Sequence, residues 1–308
     1  MSAAKRAADG AAVTASVIIA TRGRPEVLAA TLASVAALDP PPLEVLVVDG
    51  DPEGSARPAV AAHPGMEHAS APPGLTVQRN LGLDRVRGDV AVFLDDDVTV
   101  APDLLAALLP AYDDPAVVGA TGTIVEESGR RIGSKQSRMR RLLLGRGEGR
   151  MTSFGYPRRL LDPSRPAEVE FMQGAFMSAR TSVAREVRFD ERLTGYALAE
   201  DEDFSYRLSR RGRIRHVPAA VVHHRNLGFR TADSGEFNRA VVVNRAYLFR
   251  KNFARTPLAR LKFAAFVGLL IAHRALNREW EGARGLLEGA REARRAAPPP
   301  LPPPSGSG

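Results

Sequence analysis

The sequence predicts an α/β fold in which helices flank a mostly parallel sheet, with a helical appendage at the C-terminal end. Short apolar runs without charges alternate with segments whose apolar residues recur at helical spacing, which is typical of parallel strands joined by helices. The length of 308 residues, 44% of them hydrophobic, suits one large domain plus an appendage. From Asn238 to Arg295 the pattern stays helical, which predicts the appendage.

Four apolar runs in the first half of the chain predict buried strands: Val13–Ala20, Leu43–Val48, Asp89–Leu94 and Val117–Val125. The segments between them predict helices over Glu26–Leu38, Thr76–Arg87 and Pro102–Tyr112. Pro25 suits the first turn of its helix, because the missing N–H is not needed there. Residues 51–73 are rich in Pro, Gly and Ala, so we expect loops there with at most a short helix.

The second half is less regular. The basic, glycine-interrupted stretch 130–159 is interpreted as a long loop or mobile flap. We expect Glu168–Arg180 to return the chain to the sheet, Asp190–Leu208 to lead into a helix, and Arg213–His224 to form a strand that Pro218 turns into a bend or an edge. The predicted organisation is a disordered stretch over 1–12, a domain over 13–225, a basic helical region over 226–296 and a disordered Pro/Gly/Ser tail over 297–308.

The charge distribution excludes some function classes. The net charge of +8 resides in residues 226–308, which hold 14 Lys and Arg against 6 Asp and Glu, whereas residues 1–225 hold 29 of each. An acidic core with basic outer segments is not typical of a DNA-binding domain, so we expect no nucleic-acid partner. It suits an enzyme that holds a cation and an anionic ligand. Because only four of the basic residues are lysines, GC-rich coding is an alternative explanation of the arginine excess.

Cysteine content and apolar runs bear on the compartment. The absence of cysteine excludes a disulfide scaffold, thiolate metal sites and cysteine nucleophiles. The first residues show no apolar run of the kind found in secretory signals, and no apolar run reaches the roughly 20 residues of a membrane-spanning helix. We therefore expect a cytoplasmic protein.

Asp95, Asp96 and Asp97 follow a predicted buried strand directly. Neighbouring carboxylates repel one another, and a divalent cation removes that cost. In open α/β sheets ligands bind at the carboxyl ends of strands, where this cluster falls. The alternative is an acidic start to the next helix. The run predicts a site for a divalent cation, which the family resemblance described below specifies as Mg²⁺ or Mn²⁺.

A second acidic cluster, Glu200 to Asp203, begins a predicted helix. A carboxylate at such a position, directed into a cleft, can accept a proton from a hydroxyl group. The alternative is a solvated, acid-rich helix start. The pair His223 and His224 follows a predicted strand, and adjacent residues of a strand point to opposite faces, so at most one of them is expected to complete a metal site. The alternative for either histidine is a structural role.

Taken together, the motifs from Val13 to His224 resemble a family-2 glycosyltransferase of the GT-A, Rossmann-like fold. In the first loop Gly23 replaces the family's usual Asn. The matching segments stand in the order typical of that family and are Ser16–Arg24, Val47–Asp51, Arg79–Gly82, Phe93–Asp97 with the D-x-D motif, Gly174–Arg180, Phe189–Glu191, Glu200–Leu208 and Pro218–His224.

The resemblance implies transfer of a sugar from a UDP-, GDP- or dTDP-sugar to a hydroxyl group, with inversion and metal assistance. It implies Asp201 as the base, with Glu200 second, and a metal site of Asp95, Asp97 and His224. The nucleotide-contacting residues that it implies are Thr21, Arg24, Asp49, Asp51, Arg79, Asn80, Asp95 and Asp96. For Arg24 and Arg79 a structural ion pair is the alternative. A sugar-nucleotide pyrophosphorylase is a competing hypothesis, but Ala20–Pro25 lacks that class's glycine-rich loop. A non-catalytic nucleotide-sugar-binding scaffold is the other.

The C-terminal region bears on the acceptor. Leu261–Ala272 is strongly apolar and is flanked by basic residues, which suits a helix lying on an anionic membrane. Packing on the catalytic domain or in a homodimer is the alternative. We expect a glycan or lipid-linked acceptor and a location at the inner face of the membrane.

Overall fold

A computed structural model describes residues 12–127, 147–160, 162–193, 197–225 and 235–295. These residues form two compact units. The first comprises the described residues of 12–127, 147–150 and 159–225, and the second comprises 151–158 and 235–295. The predicted disordered ends and most of the predicted flap lie outside the described residues. The sequence did not indicate that 151–158 belongs with the C-terminal helices, and the domain boundaries given above remain predictions.

The secondary structure alternates through the first unit and becomes helical in the second. The strands are β1 (Ala15–Thr21), β2 (Glu44–Asp49), β3 (Met66–Ser70), β4 (Val90–Asp95), β5 (Val98–Val100), β6 (Val117–Glu126), β7 (Ala167–Val169), β8 (Phe176–Arg180) and β9 (Arg213–His224). The helices are α1 (Pro25–Ala36), α2 (Arg57–Ala61), α3 (Leu75–Arg85), α4 (Leu104–Leu108, followed by a 3₁₀ turn over Leu109–Asp113), α5 (Thr181–Val187), α6 (Glu200–Ser209), α7 (Gly235–Asn252), α8 (Pro257–Leu276) and α9 (Trp280–Arg295).

The nine described strands form one mixed sheet in the order β3-β2-β1-β4-β8-β6-β9-β5, with β7 also paired to β9. The pairs β1–β2, β1–β4, β2–β3 and β6–β9 are parallel, and the other four are antiparallel. The predicted α/β fold with flanking helices is confirmed, but the sheet is less parallel than predicted. One reason is that β8 lies antiparallel between β4 and β6. It follows a tight turn, because a strand that pairs antiparallel needs no helical crossover before it.

Residues 51–73, which were expected to be loops with at most a short helix, contain both α2 and the strand β3. The predicted bend at Pro218 is confirmed, because the β6–β9 register shifts between the partners Val217 and Val221. The edge position is wrong, since β9 pairs with β6 on one side and with β5 and β7 on the other.

The sheet is buried on both faces, so β1 and β4 read as continuous apolar runs. Val17 and Ile19 pack into one hydrophobic cluster with α1, while Ile18 and Phe93 pack into the other with α6. The register sets Thr21 beside Asp49 and Ala20 beside Asp95. The carboxyl ends of β1, β2 and β4 therefore meet at one edge, which is held rigidly by the core.

The second unit has its own apolar core. Phe249 and Phe266 are buried together with Phe154, and Val242, Val267 and Leu286 form a second cluster. Phe249 stacks on Phe263 with ring centroids 5.2 Å apart. Among the described helices, none is long and apolar enough to cross a membrane.

Candidate active site

The acidic run after β4 divides its side chains between two environments. Asp95 and Asp97 point toward His224, and one ligand atom from each of the three residues lies within 4.8 Å of the others. His224 Nε2 is 3.2 Å from Asp97 Oδ1. The pairing of β5 with β9 sets Val98 opposite His224 and so brings the end of β9 to this site. His223 is exposed on the other face of the strand. The structure therefore selects His224 of the two histidines.

The donor set of Asp95, Asp97 and His224 fits a divalent cation. Carboxylate oxygens and one imidazole nitrogen are ligands that Mn²⁺ accepts, and Mg²⁺ takes the carboxylates. The Nδ1 atom of His224 is buried and has no hydrogen-bond partner among the described residues. Burial opposes protonation of this ring, but the hydrogen bond and charge of Asp97 outweigh it and raise the pKa of His224. The charge of the neighbouring carboxylates therefore favours a positive charge at this position.

Asp96 is buried, and its described contacts are with other residues of the protein. Its Oδ2 atom accepts hydrogen bonds from Thr21 Oγ1 at 2.6 Å and Arg24 Nε at 3.2 Å, and its Oδ1 atom pairs with Arg24 Nη2. Thr31 Oγ1 donates to the Asp96 carbonyl at 2.7 Å. Burial raises the pKa of Asp96 to about 6, against the hydrogen bond from Thr21. Asp96 therefore fixes the acidic turn to β1 and α1, while the Arg24 side chain remains 41% exposed.

Arg79, in α3, is almost completely buried, with 1% of its side chain exposed. Its guanidinium donates to Glu200 Oε1, Asp95 Oδ1 and the Gly174 carbonyl, each at 2.9 Å. Its side chain thus forms the structural ion pair that was the alternative for Arg79, and the nucleotide contact stays a prediction. Arg79 joins the first acidic cluster to the second.

Glu200 and Asp201 begin α6 and lie beside Gly174. The Gly174 N–H donates to Asp201 Oδ2 at 2.9 Å, and the Glu202 N–H donates to Asp201 Oδ1 at 2.7 Å. Burial, followed by the charge of Asp201, raises the pKa of Glu200 although Arg79 opposes the shift. Burial, followed by the charge of Glu202, raises the pKa of Asp201. Asp201 is half-buried, and the two main-chain N–H groups fix the orientation of its carboxylate.

Gly174 is a component of the site that sequence reasoning did not single out. A Cβ atom there would lie 3.2 Å from Glu200 Oε1 and 3.5 Å from Arg79 Nη2. The sequence signal was its position at the start of the family-like segment Gly174–Arg180, which leads into β8.

Two strained residues precede α6: Ala197 has φ 46° and Ala199 has φ 69°, a region that alanine rarely occupies. Such strain is concentrated at functional sites.

The loop after β2 is held together by Asp49. This side chain is fully buried; its oxygens accept hydrogen bonds from the Asp51 N–H at 2.9 Å and the Ala56 N–H at 3.0 Å, and His68 Nε2 lies 3.3 Å away. Asp51 is partly exposed.

Gln78, which sequence reasoning missed, donates from its side-chain amide to the carbonyls of Thr21 and Val48 at 2.7 and 2.8 Å and so connects β1 to β2.

Asn80 also uses its side chain within the protein. Its amide donates to the Phe189 carbonyl at 3.0 Å and to Glu191 Oε1 at 2.8 Å, and its Oδ1 accepts from the Phe189 N–H at 2.9 Å. Asp203 likewise pairs with Arg207 at 2.7 Å within α6. Of the predicted residues, the structure thus assembles Asp95, Asp97 and His224 in one group and Glu200 and Asp201 in a second, joined by Arg79.

Comparisons with known proteins agree with this arrangement. A model of glycosyl transferase family 2 matches residues 16–188. Succinoglycan biosynthesis protein ExoM of Rhizobium meliloti (strain 1021) is 42% identical to this chain over 115 residues, which are 34% of this chain and 37% of ExoM. The similarity therefore spans little more than a third of that relative.

Two solved structures share the fold. The mannosyltransferase PcManGT from Pyrobaculum calidifontis, in complex with GDP-Man and Mn²⁺, gives a TM-score of 0.56 at 17% identity, covering 92% of this chain and 88% of that one. Mannosyl-3-phosphoglycerate synthase from Rubrobacter xylanophilus gives 0.54 at 18% identity, covering 79% and 75%.

Proposed function

This chain belongs to glycosyl transferase family 2, and from that premise we propose that it moves a sugar from a nucleotide-diphosphate donor to a hydroxyl acceptor with inversion at the anomeric carbon. That it is a glycosyltransferase follows from the family; the inversion, the base and the substrates are the proposal. The observation that carries it is that Arg79 joins Asp95, in an acidic cluster that fits a cation, to Glu200, the direct neighbour of the half-buried Asp201.

The first cluster would hold the diphosphate. Asp95, Asp97 and His224 are the proposed ligands of Mg²⁺ or Mn²⁺, and the bound cation would neutralise charge that develops on the leaving nucleoside diphosphate. The structure of the mannosyltransferase from Pyrobaculum calidifontis contains GDP-Man and Mn²⁺, which supports a metal-assisted donor site here. The partly exposed Arg24 adds positive charge beside Asp97, whose Oδ2 lies 3.9 Å from Arg24 Nη1.

The nucleoside would lie over the ends of β1 and β2. Among the predicted contacts, Arg24 and Asp51 have exposed polar atoms and are proposed to touch it directly. Thr21, Asp49, Asn80 and Asp96 are buried and engaged within the protein, so we propose that they shape this surface from behind. The proposed donor is a UDP-, GDP- or dTDP-sugar, whose nucleobase would bind at the loop after β2.

The second cluster would perform the proton transfer. In a single displacement the acceptor oxygen bonds to the anomeric carbon, the carbon–oxygen bond to the diphosphate breaks, and the hydroxyl proton passes to a base. We assign Asp201 as that base, because two main-chain N–H groups hold its oxygens and part of its surface is open. Glu200 is bound by Arg79 and so would position α6 instead.

The acceptor is proposed to be a growing cell-envelope polysaccharide or a lipid-linked glycan. The name of the relative ExoM places that protein in succinoglycan biosynthesis, which supports this class of acceptor. We propose that residues 13–225 carry catalysis in the cytoplasm, at the inner face of the membrane, and that a homodimer is the alternative use of the basic region 226–296. Family membership favours transfer over the nucleotidyltransferase and scaffold hypotheses.

A screen of nucleotide sugars tests the proposal. Purified protein is mixed with UDP-, GDP- and dTDP-sugars, with and without Mn²⁺, and release of nucleoside diphosphate is measured. We expect release with one donor class, its loss in excess EDTA, and its loss in Asp97→Ala. The control Asp162→Ala removes an exposed carboxylate from another loop and should behave as wild type. Full activity of Asp97→Ala, or full activity in EDTA, would contradict the assigned metal site.

A further inference from the structure

Helix α8 has two apolar faces, and only one of them is covered. The inner face contributes Ala259, Phe266 and Val267 to the core of the second unit, with Phe263 and Leu270 packed beside them. The outer face exposes leucines at 60%, 66%, 41% and 85% of their surface, namely Leu258, Leu261, Leu269 and Leu276. We call these four leucines, together with Trp280 at the start of α9, the leucine ridge.

The ridge is a regular feature of the helix. At about 100° per residue, its four leucines fall within an arc of about 80° and extend over about 27 Å of helix. The residues between them on the same face are small: Ala265, Gly268 and Ala272 are all exposed. Trp280, 65% exposed, continues the apolar surface beyond the helix end. Of the seven large hydrophobic side chains that are exposed in the described part of the chain, five belong to the ridge.

The charges along α8 indicate the partner of the ridge. Helix α8 contains no Asp or Glu, and at about 100° per residue Lys262 lies at the margin of the ridge. Lys262 is exposed and has no ion-pair partner among the residues that the structure describes. Arg278 is likewise exposed beyond the C-terminal end of the helix. Acidic side chains on α8 would be repelled by a negatively charged surface. They would not prevent binding to an uncharged apolar groove of a protein, so their absence favours the charged surface.

From this geometry we propose that the leucine ridge docks on an anionic lipid surface, with α8 lying parallel to it. Leucines and tryptophan enter the boundary between headgroups and acyl chains, and the flanking cations pair with lipid phosphates. The proposal does not depend on the donor or on the base, since every residue it uses lies in the second unit.

Vesicle flotation tests it. The protein is mixed with vesicles of phosphatidylcholine containing phosphatidylglycerol, or of phosphatidylcholine alone, at low and at high NaCl. We expect flotation with the anionic vesicles at low salt, and weaker flotation at high salt because surface charge is screened. The double variant Leu261→Asp/Leu269→Asp should lose flotation, and Lys262→Gln/Arg278→Gln should partition about thirtyfold more weakly. Leu43→Asp, an equally exposed leucine in the first unit, is the matched control and should float as wild type.

Circular dichroism and metal-dependent nucleoside diphosphate release, measured without vesicles, separate this proposal from the proposed function. The ridge variants should keep their helical signal and their release rate. Absence of flotation with anionic vesicles at low salt overturns the lipid proposal, whatever the release assay shows. Sedimentation that gives a dimer of the wild type and a monomer of Leu261→Asp/Leu269→Asp, without flotation, would assign the ridge to a second copy of the chain.

Discussion

Removing the buried guanidinium of Arg79 should destabilise the fold far more than removing an exposed one. The variant Arg79→Met keeps the length and apolar stem of the side chain but leaves Glu200 buried without its cation. Breaking a buried ion pair by deleting one partner costs about 3–5 kcal/mol, because the remaining charge is uncompensated. Since whole domains are stable by only about 5–15 kcal/mol, the loss should be easy to measure.

The assay is urea unfolding followed by circular dichroism, with the free energy of unfolding extrapolated to water. The matched control is Arg211→Met, because Arg211 pairs with Glu186 at 3.1 Å where both side chains are more than half exposed. An exposed pair contributes about 0–1 kcal/mol. If the free energy of unfolding falls no more in Arg79→Met than in Arg211→Met, the conclusion that Arg79 holds the two acidic clusters together is refuted.

The dependence of the free energy of unfolding on pH tests whether the buried carboxyl of Glu200 causes the loss in Arg79→Met. Burial already raises the pKa of Glu200, and loss of Arg79 should raise that pKa further. The folded state then keeps a proton that the unfolded state releases, so the free energy of unfolding falls as pH rises from the ordinary pKa of a glutamate to the raised one. In the wild type the raised pKa of Glu200 is about 8, so both proteins lose stability alike up to that pH, and above it only Arg79→Met loses more. The cost of Arg79→Met should therefore be larger at about pH 9.5 than at pH 7. Adding Glu200→Gln should remove this dependence on pH, because no carboxyl group then has to hold a proton in the folded state.

Two further outcomes follow from the site. Because the pKa of Asp201 is raised to about 6, the carboxylate takes up a proton on mild acidification, so kcat/KM should fall below about pH 6; a profile that stays flat down to pH 4.5 would contradict its role as base. Gly174→Ala brings a Cβ atom to 3.2 Å from Glu200 Oε1 and should lower the rate of transfer about tenfold through misplacement of the site. Its control, Gly268→Ala, meets nothing within 4 Å and should leave the rate unchanged; equal rates for both variants would refute this role of Gly174.

The sequence predicted the parts of the fold whose pattern is strong. The runs that become β1, β2 and β4 are buried on both faces and so appear as unbroken apolar segments. Strand β3 was missed, because Met66–Ser70 lies at the edge of the sheet and its mixed side chains are mostly not buried. Strand β5 was missed because its three residues are too few to show a period.

The site divides in a similar way. The residue type alone shows that a carboxylate or a histidine can bind a metal ion or accept a proton, so Asp97, His224 and Asp201 were candidates from the sequence. Gly174 acts through its own main-chain groups and its lack of a side chain, and Gln78 donates from its side-chain amide to main-chain carbonyls; the residue type reveals neither contact. Arg79 was recognised as a motif residue, but whether an arginine binds a ligand or two carboxylates of the protein depends on how deeply the folded chain buries it. That information exists only in the folded chain.

The measurement that tests the central claim most directly compares Asp201→Asn with Glu200→Gln. Donor binding is measured by calorimetry and sugar transfer by product release, for both variants and the wild type. The account predicts that Asp201→Asn binds donor normally and transfers sugar about 10²–10⁴-fold more slowly, as expected for a lost general base, whereas Glu200→Gln is less impaired. Transfer by Asp201→Asn at a rate near that of the wild type would contradict the account, and an inactive Glu200→Gln alongside it would move the base to Glu200.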